Sequence, residues 1–123
     1  MSDYLFSAMQ KAAEDWANAA GSWLEAVTPT MPAELQEAFF GKGLNPSGLD
    51  AKTRLLLTLA ALTVQGAIAA PQIRITVRNA LEVGATEQEI AETIGQMSVF
   101  AGLPAATKAL ELAQSAIADR AAE

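Results

Sequence analysis

The side chains whose spacing best suits holding or polarising a ligand lie between Pro71 and Phe100. Arg74 and Arg78 are four residues apart and share one face of a helix. Gln72, Thr76 and Asn79 form a polar ridge beside the apolar stripe of Ile73, Val77, Ala80 and Leu81, and Gln96 follows further on. A polar ridge bordering a core can line a pocket. It can equally satisfy helix ends or a subunit contact, because buried polar groups need partners for structural reasons alone. The arginines have a structural alternative of the same kind, as solvated or interface salt bridges. Thr76 and Gln96 make hydrogen bonds but do not titrate near neutral pH, so they orient a ligand without supplying its proton.

Composition removes several chemistries. The chain has no cysteine and no histidine. Thiol redox chemistry, His-based zinc or iron sites and the commonest general base are therefore excluded, and no metal or cofactor is expected. Glu82, Glu87, Glu89 and Glu92 invite a reading as paired carboxylates for acid and base work. Glu87 and Glu89, however, fall in the first turn of a helix, where the helix dipole favours negative charge, so capping explains them better. Arg54, also in a first helical turn, is expected to meet a carboxylate. A net charge of −6 disfavours the phosphate backbone of nucleic acid. The opening residues lack the positive region and apolar run of a secretory signal. The apolar stretch from Leu55 to Ala70 falls short of the roughly 20 residues a bilayer needs. The expectation is a cytoplasmic protein without a membrane or nucleic-acid partner.

The positions that could do chemistry must be held by helices. Hydrophobic residues make up 51% of the 123-residue chain but aromatics only 6%, so its core is built from Ala, Leu, Ile and Val in closely packed helices. No stretch alternates with period two for long enough to argue for a strand, which leaves an all-α fold. Leu5, Met9, Ala12, Trp16, Ala19 and Trp23 are spaced alternately by four and three, an a/d seam on a helix over about residues 3–26. Thr28-Pro-Thr-Met-Pro32 breaks the chain, and a short helix over about 33–40 follows. Asp50 caps a helix over about 51–66 that is apolar nearly all round and should sit centrally. Pro71 opens a helix ending near Val83, with Gly84 as its left-handed cap. Thr86-Glu-Gln-Glu89 is a capping box, Gly102 stops the helix it opens, and Pro104 starts the last one. Residues 1–28 are thus an amphipathic helix expected to make an oligomer contact, with packing on its own domain as the alternative, and residues 29–123 a helical domain. Met9, Met31 and Met97 read as core packing.

The segments GLDAKTRLLLTLAAL and PQIRITVRNALEVGATEQEIAETIGQMSVFAGLPAATKAL resemble the carboxymuconolactone decarboxylase family, relatives of the alkylhydroperoxidases. Family members usually show Thr-Arg-Glu at the entry to the first core helix. A His precedes Val-Arg-x-Ala-Leu, and His-x-x-x-Tyr-Ala-Gly-Phe-Pro comes later. The corresponding positions here are Leu55, Thr76, Gln96 and Phe100. In peroxidase relatives a Cys-x-x-Cys pair precedes the His; counted back from Thr76 the positions are Ala69 and Gln72, and counted forward from Gly66 they are Ala67 and Ala70. Either way the sulfur nucleophile is missing, and thiol peroxidase activity is not expected.

The resemblance implies an alkylhydroperoxidase-like helical fold, assembly as trimers or hexamers with sites near subunit interfaces, and a decarboxylase-like lyase activity. Loss of carbon dioxide from an anionic lactone needs a cationic anchor and a proton donor. On the resemblance, Arg74 and Arg78 would be the anchor, Thr76 and Gln96 would stand at the catalytic positions, and Gln72 and Phe100 would complete the substrate site. Phe100 has lost the hydroxyl of the family's Tyr. Two functional expectations follow: a protein acting on or binding a small carboxylate or lactone, or a non-catalytic assembly or partner-binding protein on the same scaffold. A cavity lined by Thr76, Gln96 and an arginine would favour the first; one filled by Leu55 and Phe100 would favour the second.

Overall fold

The computed structural model describes residues 2–123. Among them every regular element is a helix: α1 (Ser2–Val27), α2 (Ala33–Phe40), α3 (Ala51–Val64), α4 (Ala70–Glu82), α5 (Glu87–Ala101) and α6 (Leu103–Ala121). The boundaries follow local chemistry. Asp50 accepts the N–H of Thr53 at 2.8 Å and caps α3. Thr86 and Glu89 form the reciprocal capping box of α5, at 3.0 and 2.9 Å. Hydrogen bonding to Thr53 lowers the Asp50 carboxyl below its ordinary value, and the Thr86 backbone N–H followed by Lys52 does the same for Glu89. Both groups are depressed carboxylates, so their contributions are present above the ordinary carboxylate range and are lost as the pH falls through the depressed values.

α4 ends in a Schellman turn. Gly84 stands at φ 101°, Ala85 N–H donates to Ala80 O at 2.9 Å and Gly84 N–H to Leu81 O at 3.1 Å. The same turn, centred on Gly66, ends α3 at Val64, two residues before the expected end at 66, through Ala67 N–H to Leu62 O and Gly66 N–H to Thr63 O.

Helices α3, α4, α6 and α5 close a ring in which each packs on two neighbours, with α3 opposite α6; α2 lies on α3 and α1 on α4. Leu59, Ile73, Val77, Ile90 and Ile94 fill the centre. From α6 come Ala106, Ala109, Ala113 and Ala116, small side chains that let this helix approach the others closely. The central placement of α3 is one-sided. Leu59 and Thr63 are buried, while Leu57, Val64 and, just beyond the helix, Ile68 face outward. Val99, Phe100 and Leu103 at the α5–α6 corner are exposed as well, leaving much apolar surface on the chain. Met9 also lies exposed on α1, which corrects its reading as a core residue; Met97 is half-buried.

Candidate functional site

Four ion pairs and hydrogen bonds account for the arginines of α4. Arg74 Nε donates to Glu25 Oε1 at 2.7 Å, and its two terminal nitrogens donate to Ser115 and to Asp119. Arg78 Nη2 donates to the same Glu25 oxygen at 2.6 Å. One carboxylate of α1 is therefore shared by two guanidinium groups of α4, with α6 closing the cluster from the other side. The positions four apart on α4 do share a face, as their spacing requires, and that face meets the C-terminal part of α1 and the C-terminal half of α6. Burial by itself lowers the Arg74 pKa, but the hydrogen bonds it donates to Glu25 and Asp119 outweigh it and the net shift is upward. Arg78 Nε is buried with no hydrogen-bond partner. Beside it is an open cavity of about 510 Å³ walled by Glu25, Thr28, Thr30 and Glu123. Its two carboxylates face one guanidinium already engaged by Glu25, an arrangement that does not attract a further anion.

The polar ridge of α4 splits into three separate roles. Gln72 is exposed. Thr76 is buried on the side of α4 that carries Ile73 and Val77. Asn79 ties down the α1–α2 connection: its Oδ1 accepts Met31 N–H at 3.2 Å and its carbonyl accepts Gln36 Nε2 at 3.3 Å. Gln36, buried, also donates to Met31 O at 2.8 Å. These are the partners that a buried amide needs, and sequence gave no sign of them because Gln36 and Asn79 are 43 residues apart.

Gln96 sits elsewhere. It lines a groove of about 630 Å³ between α3 and α5, whose floor is Leu56, Leu57, Ala60 and Met97 and whose rim carries Lys52, Glu89 and Glu92. That lining includes neither Thr76 nor either arginine. Lys52 Nζ meets Glu89 Oε2 at 3.0 Å, and Glu89 is at the same time the capping residue of α5. Phe100 is exposed at the far end of α5, so it does not fill a cavity. Arg54 donates its Nε–H to the carbonyl of Leu49 at 3.1 Å, where a carboxylate was expected. The six positions singled out by sequence thus fall into an α1–α4–α6 ion cluster, a buried threonine, a groove residue and two exposed side chains.

Among the described residues no group of His, Cys, Asp and Glu is placed to hold a metal ion, and no helix is long and apolar enough to cross a membrane.

The chain is 64% identical over 96 residues to an uncharacterized 15.0 kDa protein in the nqo9-nqo10 intergenic region of Paracoccus denitrificans, an alignment spanning 78% of this chain and 72% of that one. It is 32% identical over 80 residues to the 4-carboxymuconolactone decarboxylase of Acinetobacter baylyi, covering 65% of this chain and 58% of the relative. The model of the carboxymuconolactone decarboxylase family matches residues 29–115, which begins after α1 and takes in α2 to α5 and most of α6. With its capped helices and its match over most of its length, the chain belongs to the carboxymuconolactone decarboxylase family.

Proposed function

We propose that this chain uses the family scaffold for assembly or partner binding and not for decarboxylation. The observation that carries the reading is the engagement of both Arg74 and Arg78 by Glu25, a carboxylate of the same chain. A decarboxylating site must fix an anion and protonate the carbon that loses carbon dioxide. Here the cations that could fix it are neutralised from within. Thr76 and Gln96, the proposed catalytic positions, carry no titrating group, and the groove that Gln96 lines does not include Thr76.

A second reading keeps a ligand. The α3–α5 groove has the volume of a small-molecule site, an apolar floor and a few polar groups, Gln96 and Lys52 among them. A flat carboxylate or lactone held there would have to take Lys52 from Glu89. The experiment that separates the readings is a decarboxylation assay on 4-carboxymuconolactone, run beside the Acinetobacter baylyi relative. The expected rate is that of the buffer. A rate approaching the relative's, lost in Gln96→Ala, would overturn the assembly reading in favour of the groove.

A further inference from the structure

Helix α1 is attached to the rest of the chain by its polar back. Gly21 and Glu25 stand one turn apart on that face. Glu25 holds Arg74 and Arg78, and Gly21 sits against Pro71 so closely that a Cβ there would come to 2.7 Å of the proline ring. At about 100° per residue, the a/d seam of Leu5, Met9, Ala12, Trp16, Ala19 and Trp23 lies about half a turn away from that face. The seam therefore points out of the molecule: Trp16 is 76% exposed and Trp23 66%, and Leu5 and Met9 are exposed with them. Its own domain cannot cover the seam without rotating α1 and breaking the Glu25 cluster.

We propose that the seam is covered by the same helix of a second copy, packed antiparallel. The order of the side chains argues for that alignment. Run in opposite directions about the point midway between Ala12 and Trp16, two copies set Ala12 against Trp16, Ala19 against Met9 and Leu5 against Trp23. Each alanine then receives a large side chain, as interdigitated helix packing requires. A parallel pair would stack Trp on Trp and Ala on Ala. Asp15, which flanks the seam near the two-fold axis, is neutralised within its own helix by Lys11 at 3.3 Å, so the two copies do not bring bare charges together. The area suffices: four indoles bury about 600 Å² at the low end for aromatic side chains. Leu5, Met9 and the alanines of both copies bring the pair near the roughly 1,200 Å² at which specific interfaces begin. Asp3 and Glu14 on the polar face disfavour an anionic membrane surface as the occupant. The helix lies outside residues 29–115, so this contact is additional to whatever the family scaffold provides. It gives the assembly reading above a specific partner but stands on its own observations.

Trp16 and Trp23 are the chain's two tryptophans and both lie in the seam, so intrinsic fluorescence reports on this contact alone. The chain has no cysteine, so single cysteines can be introduced without background. The test is tryptophan emission over a dilution series of the full chain and of Ala12→Glu, together with oxidative cross-linking of L5C and W23C chains, alone and mixed. Emission is expected to be blue-shifted at high concentration and to move red on dilution. In Ala12→Glu, with its helical content unchanged by circular dichroism, it is expected to stay red throughout. Cross-links should form in the L5C and W23C mixture and not in either variant alone. Red emission at every concentration, a blue shift seen only with anionic vesicles, or cross-linking of each variant with itself would each overturn the proposal. Decarboxylase activity in the same protein would overturn the functional reading and leave these cross-links unaffected.

Discussion

Leu59→Ala should destabilise the chain by about 3 kcal/mol, within the 2–5 kcal/mol range for truncating a fully buried leucine. Leu59 is 0% exposed and stands where α3 meets the ring's interior with Ile73, Val77, Ile90 and Ile94. The opposing α6 surface is mostly alanine, already at close approach, so it has few atoms with which to fill the space left behind. Leu57, two residues away on the same helix, is 56% exposed and serves as the internal control. Its truncation should cost well under 1 kcal/mol in the single chain. Urea unfolding of both variants gives the comparison. Equal losses would mean that the outer side of α3 is covered in solution as completely as the inner side.

Glu25→Ala should cost a similar amount by a different route. Arg74 keeps Asp119 and Ser115 when Glu25 is removed, but Arg78 loses its ion-pair partner while its Nε is already without a hydrogen-bond partner. The arginine side chain is only 19% exposed, so an uncompensated cation remains largely out of water. Breaking one side of such a pair costs about 3 kcal/mol, whereas replacing the whole pair by apolar groups is near neutral. The double substitution Glu25→Ala with Arg78→Met should therefore recover most of the loss. The readouts are denaturant unfolding and hydrogen exchange, with α1 amides exchanging faster in the single variant. A single-variant loss under about 0.5 kcal/mol would place the cluster with ordinary surface pairs.

The features written in neighbouring residues were legible in the sequence. Asp50, Thr86 with Glu89, and Gly84 each bond within a few positions of themselves, so the caps of α3, α4 and α5 fell where the residue types put them. The family resemblance likewise rests on local motifs. What the sequence could not show is which distant groups meet. Arg74 and Arg78 carry an anion-anchor reading from the family resemblance, with a salt bridge as the alternative, and the sequence does not name the partner because Glu25 is 49 and 53 residues away. The seam of α1 was visible, but the direction it faces depends on that same long-range carboxylate. Apolarity all round α3 suggested a fully enclosed helix, whereas Leu57 and Val64 remain outside because α4, α5 and α2 cover only the other sides. Gln96 lines a groove and Thr76 is buried, an exposure difference that their residue types do not reveal.

Whether Arg74 and Arg78 belong to the fold or to a ligand decides between assembly and catalysis. The most direct measurement is calorimetric titration of the intact protein with 4-carboxymuconolactone, repeated on Arg78→Met. Because Glu25 already occupies both guanidinium groups, the wild-type chain should give no saturable heat at concentrations up to about 1 mM, where even weak specific binding of about −4 kcal/mol becomes visible. Saturable binding to the wild type that disappears in Arg78→Met would contradict the account, since it would make the arginine cluster a ligand site that Glu25 vacates.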